Sequence, residues 1–190
     1  PIPIENIRQI QKDCMAIDDD VRWLVALISD TGMRLSEAAG LHINDIMLDN
    51  DIPYIDLKPH PWRGLKTRGS QRQIPLVGAS LWAAKRIKET NSDAVYAFPR
   101  YNNTSTTNGN SASAAINKWL KTRVPEGCVI HSFRHSVRDR LREVQCPADM
   151  IDQIGGWSTA GVGQAYGDGY NLNTLFHNMK DIQCHVSFKE

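Results

Sequence analysis

The 190-residue sequence lacks several features that would assign it to other classes of protein. It has only four cysteines, Cys14, Cys128, Cys146 and Cys184, with no CxxC pair and no histidine spaced beside them for a zinc site. No apolar run approaches the roughly 18 residues that span a bilayer, and the first residues lack the pattern of a secretion signal. Neither charge dominates, because 22 basic residues face 21 acidic ones. We therefore expect free thiols, no membrane association and a cytoplasmic protein.

Basic residues are clustered although the net charge is only +1. One segment contains no acidic residue and carries Lys58, His60, Arg63, Lys66, Arg68 and Arg72. A second segment carries Arg134, Arg138, Arg140 and Arg142. Such clusters on a neutral chain are typical of a protein that binds phosphate on one face, and solvated surface charge is the alternative.

The hydrophobic pattern predicts a single domain over residues 1–190, mainly α with a small antiparallel β-sheet (α+β). Helical spacing predicts two helices within residues 4–29 and further helices at 35–41, 80–89, 113–122, 131–144, 147–154 and 172–182. Alternation predicts strands at 43–48, 52–57 and 73–76, with a long basic loop before the last strand.

The first motif is TGMRLSEAAGL, residues 31–41, in which Arg34 follows a helix-breaking glycine at the start of the next helix. This position can direct a guanidinium into a cleft. Glu37 lies three residues on, one helical turn away, where it can hold the arginine side chain. A surface ion pair is the alternative.

The second motif is HSFRHS, residues 131–136, which places His131 and Arg134 on one helical face. Arginine binds the nonbridging oxygens of a phosphodiester in a fork, and histidine donates a hydrogen bond or accepts a proton. His131 and His135 are also spaced as zinc ligands are, but no acidic residue completes a metal site nearby.

The third motif is GGWSTAGVGQAYG, residues 155–167, in which Trp157 precedes Tyr166 by nine residues. The glycines predict a loosely ordered segment that leaves the tyrosine exposed. A tyrosine packed by its ring with its hydroxyl in water is the alternative.

In this order the motifs resemble the tyrosine recombinase family, the lambda-type phage integrases. That family has an arginine in a TGxRxSE-like segment, a lysine in a β-hairpin, an HxxR motif, a histidine or tryptophan, and a tyrosine about nine residues later. The matching positions are Arg34, Lys66, His131, Arg134, Trp157 and Tyr166. The resemblance covers nearly the whole chain and implies the catalytic-domain fold of that family.

The resemblance implies a site-specific recombinase that cleaves and rejoins DNA through a 3′-phosphotyrosyl intermediate on Tyr166, without metal, ATP or another cofactor. Arg34 and Arg134 would stabilise the phosphoryl charge, and His131 and Lys66 would move protons. Alternatives are a type IB topoisomerase-like enzyme and a non-catalytic DNA-binding relative. Tyr170 is the rival nucleophile.

Two of the matched positions need comment. Lys58 and Arg63 share the loop with Lys66, but the context LKTRGSQRQIPL favours Lys66. Most family members have histidine where this chain has Trp157, and a Leu–Gly pair where it has two glycines. Because tryptophan can only donate a hydrogen bond, Trp157 should not transfer protons.

The basic clusters predict DNA contacts by Arg63, Arg68, Arg72 and Arg138, with Glu37 as a supporting residue. The resemblance further implies double-stranded recombination sites as the substrate, four protomers on DNA and DNA-bending accessory proteins. The location would be the bacterial host cytoplasm or nucleoid. Since the chain opens without Met, we expect a fragment of a longer integrase that has DNA-binding domains before it.

The C-terminal segment, residues 171–190, is expected to dock on a neighbouring protomer. It carries an apolar stripe of Leu172, Leu175, Phe176 and Met179. Packing of the stripe on its own domain is the alternative.

Overall fold

The computed structural model describes residues 1–158 and 167–184. This part of the chain forms eight α-helices: α1 (Ile4–Ile17), α2 (Asp20–Thr31), α3 (Leu35–Ala39), α4 (Gly78–Asn91), α5 (Gly109–Leu120), α6 (Ser132–Glu143), α7 (Ala148–Gly155) and α8 (Leu172–Met179). Within the same residues, no helix combines the length and apolar character that crossing a membrane requires.

Helix α2 is the centre of the fold. It begins at the N-cap Asp19, whose side chain accepts a hydrogen bond from the Arg22 N–H, and it ends at Gly32 in the left-handed conformation (φ 65°). Almost every residue of α2 is buried, and the helix packs against α1, α4 and α6. A helix that is buried all round fixes the positions of its neighbours, so the residues just after it are placed accurately.

The sheet has three short antiparallel strands in the order β1 (Ile46–Met47), β2 (Tyr54–Leu57) and β3 (Arg72–Pro75). Ile55 pairs with Ile74, and both side chains are fully buried. The mainly α fold with a small antiparallel sheet is thus confirmed.

The first predicted strand is shorter than expected, because Ile43–Asp45 forms a 3-10 turn. The Asp45 carboxylate accepts the backbone N–H of His42, and the His42 ring accepts the N–H of Asn44. These local side-chain hydrogen bonds favour a turn over a strand.

The C-terminal helix α8 packs on β3. Leu175 and Met179 of the apolar stripe are buried in the chain's own core, which is the alternative that the sequence leaves open. Beyond α8, Arg140 donates hydrogen bonds to the Ile182 carbonyl and to the fully buried carboxylate of Asp30, at 3.1 and 2.9 Å. Arg140 therefore ties the C-terminal segment to α2.

Replacing Arg140 with Met should lower the free energy of unfolding by about 3 kcal/mol, because Asp30 would be left as a buried charge without its partner. Urea denaturation measures the change. Arg142→Met, on the same helix, is the matched control: Arg142 is exposed and pairs with Asp139 at 3.4 Å, so its loss should cost about 0.5 kcal/mol or less. Equal effects of the two substitutions would contradict the role of Arg140.

Candidate active site

The site is organised around the C-terminal end of helix α7. Gly156 adopts the left-handed conformation there (φ 63°), and the Trp157 N–H returns to the Asp152 carbonyl at 2.9 Å. This is a Schellman cap, which gives the chain a defined path out of the helix. At Gly155, Gly156 and Trp157 the sequence-based expectation of a loosely ordered segment is therefore corrected.

The last carbonyls of α7 have no hydrogen-bond partner within the helix, and they lie at the negative end of its dipole. Three arginines from three other parts of the chain donate to them. The pairs are Arg72 Nε to Ile154 at 2.8 Å, Arg134 Nη2 to Gly155 at 3.0 Å and Arg34 Nη2 to Gly156 at 3.4 Å. The end of α7 thus brings together the two predicted phosphate-binding arginines, Arg34 and Arg134.

Glu37 is a buried carboxylate that holds two of these arginines. Its oxygens accept from Arg34 Nη1 at 2.7 Å, from the Arg34 backbone N–H at 2.9 Å and from Arg72 Nη2 at 3.1 Å. Burial alone would raise the pKa of Glu37, but the charge of Arg72 and the hydrogen bonds from both arginines outweigh burial and hold that pKa below its usual value. The Arg34–Glu37 contact that the sequence predicts is present.

Arg134 is buried beside the second-motif histidine, His131. Its guanidinium donates to the Gly32 carbonyl as well as to Gly155, and it lies over the Trp157 ring, 4.8 Å from the ring centroid. Burial and the neighbouring charge of Arg34 lower the pKa of Arg134 to about 10, so the group stays protonated at neutral pH. A desolvated cation interacts strongly with an anion that enters its site.

His131 is the N-cap residue of α6 and is exposed. Partial burial and the positive charges of Arg134, His135, Arg34 and Lys66 lower its pKa from the ordinary 6.5. Lys66 is one of these charges, although its side chain is exposed in the loop between β2 and β3. The neutral imidazole is the main form at pH 7 and can accept a proton.

Two of the arginines predicted to contact DNA, Arg63 and Arg72, are interior residues of the chain without DNA. The Arg72 side chain is only 3% exposed and is bonded to Glu37, Ile154 and the Ser70 carbonyl. Arg63 is buried, and it donates to the carbonyls of Lys58 and Gly40. Arg68 is exposed.

The fourth predicted DNA contact, Arg138, is partly exposed and lies 5.2 Å from the centroid of the Trp157 ring.

One more role escaped the sequence analysis, namely that of Arg72 in holding Glu37. The signal was available: alternation along β3 puts Arg72 on the same buried face as Ile74.

Tyr166 lies outside the described residues. The hydroxyl of the rival Tyr170 donates to the Asp149 carboxylate at 2.9 Å, and its backbone N–H donates to Gln153. The hydrogen bond to Asp149 raises the pKa of Tyr170. A phenol that has a carboxylate as its partner is a poor site for a DNA phosphate, which is also an anion.

His131 and His135, the pair with zinc-ligand spacing, meet edge to face with ring centroids 5.6 Å apart. Over residues 1–158 and 167–184, the structure contains no group of three or more His, Cys, Asp or Glu side chains placed to hold a metal ion.

Comparison with known proteins gives one family and one group of structures. The family model described as "Phage integrase family" matches residues 3–171. The solved structures include the XerH site-specific recombinase bound to palindromic difH substrate in a post-cleavage complex and bound to difH substrate in a pre-cleavage complex. Both have a TM-score of 0.63 and 19% identity over 83% of this chain, which corresponds to 46% and 47% of the XerH chains. This chain thus spans about half of XerH. No curated protein sequence matches it.

Glu37→Gln should lower the free energy of unfolding by about 3 kcal/mol at pH 7, because it leaves two arginines without their buried counter-charge. The folded pKa of Glu37 lies below the usual 4.5, so its stabilisation is complete above that value and is lost as pH falls through the folded pKa. Urea unfolding should therefore show a difference that shrinks below pH 4.5. Glu5→Gln, in an exposed pair with Arg8, should cost about 0.5 kcal/mol or less.

The pKa of His131 should lie below 6.5 in the folded chain and should rise toward it in Arg34→Gln, because one of the positive charges that disfavour the imidazolium is removed. Proton NMR titration of the imidazole measures both. Arg68→Gln removes an exposed charge from the loop between β2 and β3 and should leave the value unchanged. A His131 pKa that is indifferent to Arg34 would show that the two groups do not interact.

Proposed function

We propose that this chain, which belongs to the phage integrase family, is a site-specific DNA recombinase that cleaves and rejoins strands through a 3′-phosphotyrosyl intermediate. In the proposed step, the Tyr166 hydroxyl oxygen attacks the phosphorus of a backbone phosphodiester. The bond from phosphorus to the 5′ oxygen breaks, and the 5′ oxygen leaves as a hydroxyl. Rejoining is the reverse attack by a 5′ hydroxyl, so the phosphotyrosyl bond conserves the energy of the broken one.

The observation that carries this proposal is the convergence of Arg34 and Arg134 on the end of α7. The single carboxylate of Glu37 pairs with both Arg34 and Arg72, so one negative charge faces the three positive charges of Arg34, Arg72 and Arg134, and a net positive charge is left for an anion. The Arg34 side chain is 22% exposed, so it can reach a bound ligand. Fixed donors that face a phosphoryl group stabilise the charge that grows on its oxygens in the transition state.

Proton transfer is assigned to His131 and Lys66. The lowered pKa of His131 supports a role as the group that accepts the phenol proton, because the imidazole is neutral at pH 7. Lys66 would give a proton to the leaving 5′ oxygen. It lies in an exposed loop whose following residues are fixed by hydrogen bonds between Thr67 and Ser70, and Ser70 also accepts from Arg34 at 3.4 Å. These contacts link the Lys66 loop to the arginines.

The proposed substrate is a double-stranded DNA recombination site, in keeping with the structures of the XerH site-specific recombinase bound to its difH substrate. Arg68 and Arg138, rather than the buried Arg63 and Arg72, are proposed as further contacts to the DNA backbone. Assembly of four protomers on two duplexes is proposed from the family resemblance. Since Leu175 and Met179 are buried in their own chain, docking of residues 171–190 on a neighbour would have to release them or use other residues.

Tyr166→Phe should abolish covalent attachment to DNA, because phenylalanine has no nucleophilic oxygen. The measurement uses a pool of nicked duplexes with randomised sequence around the nick: the short strand beyond the nick diffuses away after cleavage, and the adduct is trapped for detection in denaturing gels. The unchanged chain should yield an adduct that resists detergent.

Tyr170→Phe is the matched control, and it should retain the adduct. An adduct that persists in Tyr166→Phe and disappears in Tyr170→Phe would reverse the assignment. Binding of DNA with no adduct from the unchanged chain would favour a non-catalytic relative, whereas relaxation of plasmids without any recombination site would favour a type IB topoisomerase.

A further inference from the structure

Gly155, the last residue of α7, is in close contact with the indole of Trp157. A β-carbon built on Gly155 would lie 1.9 Å from Cζ3 and 2.0 Å from Cε3 of the indole. The optimal separation of two non-bonded carbon atoms is about 3.5 Å or more, so both distances are far too short. The space that any other side chain at position 155 would need is therefore already filled by the six-membered ring of Trp157.

Moving the indole aside would break its contacts with two cations. The guanidinium carbons of Arg134 and Arg138 lie 4.8 and 5.2 Å from its centroid, within cation–π range. Arg134 in turn donates to the carbonyl of Gly155 itself. Gly155, Trp157 and Arg134 thus form a closed set of contacts in which each member limits the position of the next.

We propose that Gly155 is a positioning residue whose missing side chain lets Trp157 lie against α7 and hold the Arg134 guanidinium in its phosphate-binding position. Gly155 acts only through Trp157. Its conformation is helical, so the requirement for glycine comes from the indole rather than from a positive φ. This distinguishes it from Gly156, where φ is 63° and a β-carbon would also meet Arg72 Nη1 at 2.6 Å.

If Gly155 acted only as a helix end, Gly155→Ala would have the same effect on stability with and without Trp157. Alanine is a better helix former than glycine, so Gly155→Ala should stabilise α7 wherever the indole is absent. With Trp157 in place, the same substitution should push the ring off Arg134. The effect of Gly155→Ala on stability should therefore change sign between the two backgrounds.

The test is a double-substitution cycle of Gly155→Ala and Trp157→His, since imidazole lacks the six-membered ring that supplies the two closest atoms. Thermal unfolding is measured without DNA, and adduct formation is measured with the nicked-duplex pool. Alone, Gly155→Ala should lower the melting temperature and slow adduct formation by on the order of 100-fold, the cost of a misplaced catalytic group. Added to Trp157→His, it should leave the rate within about twofold and should not lower the melting temperature.

A spectroscopic readout follows the ring directly. The chain is labelled with 5-fluorotryptophan and fluorine NMR spectra are recorded. The signal that is lost in Trp157→His is that of Trp157. Gly155→Ala should shift this signal, while the signals of the other four tryptophans stay in place. Gly109→Ala is the matched control: it also replaces a terminal helix glycine, but its β-carbon would have no atom within 4 Å, and it should change neither signal nor rate.

The adduct measurement rests on the proposed function, but the melting and fluorine measurements do not. Equal effects of Gly155→Ala in both backgrounds, or no shift of the Trp157 signal, would overturn the role of Gly155. If the unchanged chain forms no adduct with any duplex, the proposed recombinase activity fails, and the DNA-free cycle still decides whether Gly155 positions the indole.

Discussion

The structure of the site depends on the unpaired carbonyls at the end of α7. A helix leaves its last carbonyls without partners, and in this chain the Schellman cap at Gly156 leaves those of residues 154–156 to be satisfied from outside. Guanidinium groups suit this role, because they carry several donors and a charge that the negative end of the helix dipole attracts. Each arginine comes from a different part of the chain, so the helix end assembles parts that are far apart in sequence.

This arrangement collects more positive charge than it neutralises. Three guanidinium groups lie near one carboxylate, that of Glu37, which pairs with Arg34 and Arg72, and the carbonyls that accept from the arginines offer only partial charges. The cost is visible in Arg134, whose pKa falls to about 10 through burial and the nearby charge of Arg34. Folding that holds cations together without enough counter-charge is unfavourable in the free protein, and the deficit is relieved when an anion enters. In the proposed function, a phosphodiester between Arg34 and Arg134 would supply that anion.

Much of the fold could be predicted from sequence, and so could the contacts that are local. The helices follow from apolar spacing, and the Arg34–Glu37 pair follows from a separation of three residues. Burial of Arg63 and Arg72 could not be inferred from a basic cluster, because it depends on where Gly40 and the end of α7 lie in space. The same limit applies to Gly155. In the sequence it predicts a loosely ordered segment, whereas in the fold the Trp157 indole occupies the space that a side chain at position 155 would need.

The substitution of tryptophan for histidine at position 157 has a consequence for how the proposed reaction is driven. Trp157 cannot accept a proton, so in the proposed reaction this task would fall to His131, whose pKa is lowered by burial and by the charges of Arg134, His135, Arg34 and Lys66. When a phosphodiester neutralises Arg34 and Arg134, the force that lowers the pKa of His131 weakens, and the imidazole becomes a stronger base. In the proposed reaction, substrate binding and the basicity of His131 would therefore be linked through the charges of Arg34 and Arg134, while burial of His131 continues to oppose its protonation.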